Sequence, residues 1–469
     1  MPAISGSERD YVLNWILIAF VVRLVLSLFF HATDAELRFR FAGDVITYDR
    51  VGRELSEYWA TGGVTTWPHR VEATPIDCLF DYEMGVLYLL FGPTMLPLRL
   101  INCVCGALVP LVVWRAARLA LDRTVSVRAM LLAAWFPTQV FYSAIAVRDA
   151  QATLAMALIF LGLTAVAVGH ARLLYTLPLG LLLMLGFRGY IFTLIVVAIP
   201  IAWAIATVFA KSRDKGRFVM RATSLTLLCV LVAAGIGINT IFAGGEEARI
   251  VDVDYLNNVR RDINRGGAAM YDDGDMPELF GSVEETVEIF ATGLYTFFFS
   301  VDPTEVNSFR QYMAIPEALL VLFAVPSLWR GFRRVVAHHL LSFGPPLLVA
   351  AAITLAYSSV ATNGGAMMRW RLQTVNAYII VAAIGWDRKR RTPEDTGRTE
   401  LDTPRLRPAP IRTAARVADG ELSVADLFAD PTELAPTKRR RSRRQAAEVA
   451  AEAAEPEPRR SRLLPVDDR

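Results

Sequence analysis

Long apolar runs separated by short polar and basic stretches dominate the chain up to about residue 390. A helix needs about 20 apolar residues to cross a bilayer. Runs near that length recur at 12–30, 97–119, 127–146, 150–168, 173–187, 189–210, 219–242, 313–329, 340–360 and 371–386. The pattern therefore predicts an all-α polytopic membrane protein with about ten transmembrane helices. The stretch at 284–301, which includes Tyr295, Phe297, Phe298 and Phe299, reads as a re-entrant or interfacial helix. Between the first two spans the period changes. Val45, Tyr48, Val51, Leu55 and Tyr58 recur at helical spacing on one face, which predicts an amphipathic helix lying along the membrane surface. Asp44 stands at its start, a position that also suits a helix N-cap.

Composition strengthens the membrane reading. Hydrophobic residues make up 54% of the 469 residues, too apolar for one soluble domain of this length. Charge then orients the spans. Arg115, Arg118, Arg123 and Arg128 fall in one loop, and Lys211, Arg213, Lys215, Arg217 and Arg221 in another. Arg330, Arg333 and Arg334 fall in a third, and Arg388, Lys389, Arg390 and Arg391 follow the last span. Counting spans puts all four on one side, which the positive-inside rule makes cytoplasmic. Both termini are then expected in the cytoplasm. The opposite face carries a first exterior loop at 31–96, a second large segment at 243–312, and hairpins near 147–149, 187–189 and 361–370. Arg23 and the lack of a small-x-small cleavage site argue that the first run is a span rather than a signal peptide. Cys103, Cys105 and Cys229 lie in spans and Cys78 is alone in a loop, so no disulfide framework or metal motif is present.

Residues 391–469 differ from the rest. They are rich in Pro, Arg, Glu, Asp and Ala and contain the basic run Lys438 to Arg444. Such a chain cannot bury a core, and a disordered cytoplasmic tail is expected. The run has two readings: a contact for anionic lipid or a cytoplasmic protein, and a solvated tail without partner.

Five arginines, Arg99, Arg148, Arg188, Arg369 and Arg371, gather at the non-cytoplasmic ends of spans. Charge at a membrane face is costly and is usually retained for function, although an arginine within a turn of a helix end can also snorkel to the headgroups. Together with Asp44 and Asp149 they suggest a site for an anionic, lipid-linked substrate. Arg23 could extend the cluster or pair with a carboxylate on another helix. Glu317 reads as a helix-start residue favoured by the dipole. Trp59, Trp67, Tyr82 and Trp370 fit an interfacial aromatic belt or a sugar-stacking surface.

Asp44, Tyr48, Gly52 and Leu55 resemble the Asp-x-x-x-Tyr-x-x-x-Ala-x-x-Leu pattern that follows the first span in lipid-dependent GT-C glycosyltransferases. That superfamily includes the protein O-mannosyltransferases and bacterial aminoarabinose transferases. Arg99-Leu-Ile-Asn102 with Gly106, Phe136-Pro137 through Tyr142-Ser143 to Arg148-Asp149, and Asn363-Gly-Gly365 with Arg369-Trp-Arg371 are similar to further segments of bacterial members, in the same order along residues 10–386. The chain departs from the family at Val45, where many relatives carry a second acidic residue, so nothing supports a metal held by a carboxylate pair there.

The resemblance implies a GT-C-like fold and transfer of a sugar from a polyprenyl-phosphate donor to a cell-envelope acceptor on the exterior face. It implies Asp44 as catalytic base with Asp149 second and Asp81 or Glu83 behind. It implies Arg369 and Arg371, then Arg148, Arg188 and Arg99, as donor phosphate ligands, and Tyr48 and Asn363 as substrate contacts. The donor is a substrate; no cofactor is certain, and a divalent metal is an open option that nothing in the sequence supports. Expected partners are membrane lipids, the lipid-linked donor and an envelope glycan, glycolipid or protein acceptor, with no role for nucleic acid. Abundant Ala, Arg and Val fit a GC-rich bacterial genome, hence a bacterial cytoplasmic membrane. A lipid-linked sugar flippase or a non-catalytic assembly scaffold are the alternatives; the first would place charges near mid-membrane and show internal repeats. The acidic middle of the second exterior segment fits a flap over the acceptor groove or an ordinary solvated loop.

Overall fold

The computed structural model describes residues 6–33, 44–63, 78–209, 253–264, 276–299 and 309–387, together with residues 223 and 271. The expected span at 219–242 and the tail beyond 390 lie outside the described residues. What is described is a helical membrane protein. Its elements are α1 (Gly6–Thr33), α2 (Asp44–Ala60), α3 (Leu79–Phe91), α4 (Leu96–Arg118), α5 (Arg123–Ala134), α6 (Pro137–Tyr142), α7 (Asp149–Val168), α8 (Thr176–Phe187), α9 (Gly189–Phe209), α10 (Val253–Asn264), α11 (Val283–Phe299), α12 (Phe309–His338), α13 (Leu340–Ser359) and α14 (Gly364–Trp386).

Six helices among the described residues are long and apolar enough to cross a membrane: Ser7–Thr33, Leu96–Arg118, Asp149–Val168, Gly189–Phe209, Ala314–His338 and Leu340–Ser359. The expected count of about ten is not reached in this part of the chain, for reasons visible in the sequence. The run at 173–187 is a helix of only 12 residues, α8, after a single 3-10 turn at Ala171–Leu173. The run at 371–386 begins earlier than expected, at Gly364, and its first half carries Arg369, Arg371, Gln373 and Asn376. The stretch at 284–301 is the helix α11, which buries Ile289, Gly293, Thr296 and Phe297.

The run at 127–146 is broken into α5 and α6. Phe136 precedes Pro137 and adopts extended backbone, as residues before proline do. The break separates the carbonyl of Ala134 from the amide of Thr138, which a continuous helix would have paired. Two buried charged residues take up these groups. Arg23 on α1 donates from Nη2 to the Ala134 carbonyl at 3.0 Å, and the Thr138 amide donates to Glu317 Oε2 on α12 at 3.1 Å. Both side chains are fully buried. Arg23 thus belongs to the scaffold, and Glu317 is a buried acceptor eight residues inside α12 rather than a helix-start residue.

Burial sorts the helices. The most apolar window of α7 is 78% buried, against 22% for α1 and 17% for the span in α12, so α7 is surrounded by protein while α1 and α12 turn wide apolar faces outward. Around α7 pack α4, α8, α13 and α14, with a core that includes Met156, Ile159, Phe160, Leu163, Ile195, Ile353 and Met367. Within a bilayer such a core stabilises the bundle by close van der Waals packing rather than by removing apolar surface from water.

The amphipathic helix α2 forms as expected. It buries Val45, Tyr48, Val51 and Leu55, with Gly52 between them, and lies on α3. A side chain at Gly52 would collide with Met84, so the small residue allows the two helices to approach. The two ends of α14 differ in company. At its C-terminal end Arg334 donates to the Ile384 carbonyl at 2.6 Å, Arg330 to the Gly385 carbonyl at 3.3 Å, and Arg128 lies 4.0 Å from Asp387. Basic residues from loops that charge counting placed on one side do meet there. Its N-terminal end holds the cluster described next.

Candidate active site

Four helix ends converge at the N-terminal end of α14. Asp149 is the first residue of α7 and is 1% exposed. Its Oδ1 accepts from Arg188 Nη2 at 2.6 Å and its Oδ2 from Arg369 Nε at 2.8 Å. Arg369 Nη1 donates to Asp44 Oδ2 at 2.7 Å. The result is a continuous chain, Arg188–Asp149–Arg369–Asp44, contributed by the α8–α9 junction, α7, α14 and α2. Charged hydrogen bonds of this kind are shorter and stronger than neutral ones. Arg148 adds a third cation: its Nη1 donates to the Phe187 carbonyl at 2.9 Å, and its charge acts on Asp44. Three arginines and two carboxylates leave one positive charge in excess, in a setting largely removed from water.

The turn that delivers Arg148 and Asp149 has no helical ladder of its own. Asn102, fully buried on α4, donates from one amide nitrogen to the carbonyls of Ile145 and Val147, both at 2.8 Å. Its oxygen accepts from Gln151 at 3.2 Å, and Gln151 also donates to Glu83 at 2.7 Å. A side chain at Gly106 would strike Ser143, so glycine allows α4 to reach the turn. Arg188 is held at the α8–α9 junction, where its Nη1 donates to the Tyr190 hydroxyl at 2.6 Å. Tyr357 donates to Gln373 at 2.9 Å and stacks on Trp370, ring centroids 4.8 Å apart, behind Arg369.

The two carboxylates are not equivalent. Both oxygens of Asp149 are taken by buried guanidinium groups, whereas the Asp44 side chain is 47% exposed. Partial burial pushes the Asp44 carboxyl up, but the charge and hydrogen bond of Arg369, with Arg148 and Arg188 behind it, outweigh burial and hold it below the usual carboxylate range. Asp44 is therefore ionised and reachable from solvent. Tyr48, one turn on, packs its ring edge-on against Phe80 with centroids 4.8 Å apart. Burial, opposed by Arg148 and Arg369, pushes its hydroxyl up to about 12, so it stays neutral beside the cluster.

Other expected site residues lie elsewhere. Arg371 pairs with Glu317 and donates to the carbonyls of Phe297 and Phe298. Successive helix residues are about 100° apart, so Arg369 and Arg371 point in nearly opposite directions; Arg371 sits in the core at 1% exposure. Arg99 is buried on α4, where its charge acts on Tyr88 of α3. Asn363 caps α14, accepting from the amides of Gly365 at 2.9 Å and Ala366 at 3.3 Å, and donates to the Ile263 carbonyl of α10 at 3.2 Å. Its polar atoms are engaged by the protein, and α10 rests on the turn that starts α14. Asn102, Gln151 and Tyr190 were not singled out as site residues; Asn102 stood in one of the matching segments, while nothing marked the other two. Among the described residues no three His, Cys, Asp or Glu side chains gather at one point.

Residues 78–236 match the family model of dolichyl-phosphate-mannose-protein mannosyltransferases. Among solved structures the chain is similar to the archaeal oligosaccharyltransferase AglB from Archaeoglobus fulgidus, in complex with an inhibitory peptide and a dolichol-phosphate, at 14% identity and a TM-score of 0.46. That likeness covers 81% of this chain and 50% of the other, so the chain spans about half the length of that protein. No curated protein matches. The family match spans α3 to α9 and includes Arg99, Arg148, Asp149 and Arg188, so four of the clustered or expected charged residues lie within the part of the chain that is similar to those mannosyltransferases.

Proposed function

We propose that the Arg188–Asp149–Arg369–Asp44 cluster is the transfer site for a sugar carried on a polyprenyl phosphate, and that it works on the exterior face of a bacterial cytoplasmic membrane. The observation that carries this reading is the inequality of the two carboxylates around Arg369. One is buried and saturated, the other is half exposed and ionised. Asp44 is the base: it takes the proton of the acceptor hydroxyl as that oxygen bonds to the anomeric carbon. The bond from that carbon to the phosphate oxygen breaks, and its electron pair leaves with the polyprenyl phosphate. General-base assistance of this kind contributes roughly 10²–10⁴-fold.

Arg369, Arg188 and Arg148 bind the phosphate, their planar forks matching its oxygens. Positive charge already in place where negative charge develops stabilises the departing group. Asp149 is a positioning residue: by holding Arg188 and Arg369 at its two oxygens it fixes the guanidinium groups before the donor arrives. Tyr48 is placed to meet the sugar or phosphate from α2. Arg371 and Asn363 support α14 rather than touch substrate, and Arg99 belongs to the wall formed by α3 and α4. The exterior position follows from the basic loops at the far end of α14. The acceptor is a glycan, glycolipid or protein of the envelope.

Release of free polyprenyl phosphate from a panel of polyprenyl-phosphate sugars, by the full chain in lipid nanodiscs with crude envelope acceptors, tests the reading. Turnover of one donor, lost in Asp44→Asn and in Arg369→Ala at normal protein levels, is the expected result. Folded protein that turns over no donor would replace it with the flippase or scaffold reading.

A further inference from the structure

Resting on that reading of the cluster, we propose that the Asp44–Arg369 pair is an ionic latch which the donor phosphate opens, so that the lipid-linked substrate binds first and frees its own catalytic base. Arg369 is shared between two unequal carboxylates. In its pair with Asp149 the carboxylate is 1% exposed and Arg369 12%, and removing a partner there leaves an uncompensated buried charge. In its pair with Asp44 the carboxylate is 47% exposed, and a pair that water reaches is weaker and more readily exchanged for other anions. A phosphate reaching Arg369 from the solvent side therefore replaces Asp44 and leaves Asp149 in place.

The architecture makes this exchange local. Helix α2 is held on α3 by its buried face and by the contact of Gly52 with Met84, and Asp49 on α2 is bonded to Tyr88 on α3 at 2.6 Å. Asp44 can leave Arg369 by a change of rotamer without undocking the helix. Without donor, the carboxylate is neutralised by Arg369 and is a poor proton acceptor. With phosphate on Arg369 it is released, still ionised, beside the sugar that the acceptor must attack.

The same pair also serves the end of the cycle. After transfer Asp44 carries the acceptor's proton, and the product phosphate is bound to Arg369. Asp44 is open to water and loses the proton there. The restored carboxylate then competes with the phosphate for Arg369 and promotes release of the lipid. The latch thus sets the order of substrate binding and drives product departure.

The test is the affinity of the full chain in nanodiscs for decaprenyl phosphate and undecaprenyl phosphate, the sugar-free products. Asp44→Asn removes the competitor and is expected to bind them roughly fivefold or more tightly than wild type. Asp44→Ala gives a second route to the same result should the amide find a new partner. Glu54→Gln removes an equal charge from the exposed face of the same helix, outside the cluster and outside the contacts that hold α2 on α3, and is expected to leave the affinity unchanged. Equal or weaker binding by both Asp44 variants overturns the latch, as does equal tightening by Glu54→Gln, which would show a general charge effect. In both cases the donor-site reading stands if Arg369→Ala loses binding. Absence of binding by folded wild-type protein removes the latch and the donor-site reading together.

Discussion

Arg369 and Arg371 are two residues apart on one helix, yet they belong to different parts of the molecule. Arg369 meets two carboxylates at the mouth of a cluster that reaches water through Asp44. Arg371 is buried against Glu317 and two backbone carbonyls. Glu317 in turn caps the amide freed by the break before Pro137, and Arg23 takes the carbonyl on the other side of that break. The difference teaches that a run of arginines at one membrane face can mix two jobs. Some hold an irregular bundle together, and some present charge to a ligand. The helical period separates them, and the test is whether the partner is saturated or exposed.

The largest effects should fall on opposite sides of this comparison. Arg371→Ala leaves Glu317 in the core without its cation, at a cost of about 3–5 kcal/mol, and should show as loss of monodisperse protein or a marked fall in melting temperature. Replacing both partners, as in Arg371→Met with Glu317→Leu, should recover much of that loss. Arg369→Ala leaves Asp149 its bond to Arg188 and is expected to destabilise the protein less than Arg371→Ala, while lowering donor turnover roughly 10²–10³-fold, measured on the same preparations. If the two single variants instead lose stability equally, the division between structural and ligand-facing arginines fails.

Smaller effects sharpen the picture. Tyr190→Phe removes one hydrogen bond to the charged Arg188, a change of about 1.5–3 kcal/mol. It should weaken polyprenyl phosphate binding together with a modest fall in melting temperature. Loss of stability without loss of affinity would make Tyr190 part of the scaffold. The smallest effect concerns Asp44 and pH. Its folded pKa lies below the unfolded value of about 3.9. The pair with Arg369 therefore contributes stability above that value and loses it as pH falls through the lower, folded one. Because Asp44 is half exposed the contribution is only about 0.2–1 kcal/mol. Asp44→Asn should differ slightly in melting temperature from wild type near neutrality and not at all in strong acid.

Much of this was legible in the sequence. The stripe Val45, Tyr48, Val51 and Leu55 predicted α2, because a half-buried helix must repeat near 3.6 residues. Charge counting grouped the basic loops, and several of them meet around the end of α14. Asp44, Asp149, Arg188 and Arg369 were all singled out, and the structure brings them into contact. What failed has physical causes. Apolar length cannot reveal a break such as that at Phe136–Pro137 when the orphaned groups are capped from distant helices. Arg371 could not be separated from Arg369 until the helix was known to begin at Gly364. Asn363 looked like a ligand contact because a cap and a binding residue require the same chemistry. Gln151 acts through Glu83 and Asn102, far along the chain, and no local pattern announces such pairs; Tyr190 stands two residues from Arg188, but nothing in the local sequence shows that its hydroxyl turns back to that guanidinium.

The most direct test of the central claim is a single-turnover measurement of polyprenyl phosphate release from saturating donor by Asp44→Asn. The account predicts that the donor stays bound, at least as tightly as in wild type, while release of polyprenyl phosphate falls by roughly 10²-fold or more. Release at the wild-type rate would contradict it and would move the base away from Asp44.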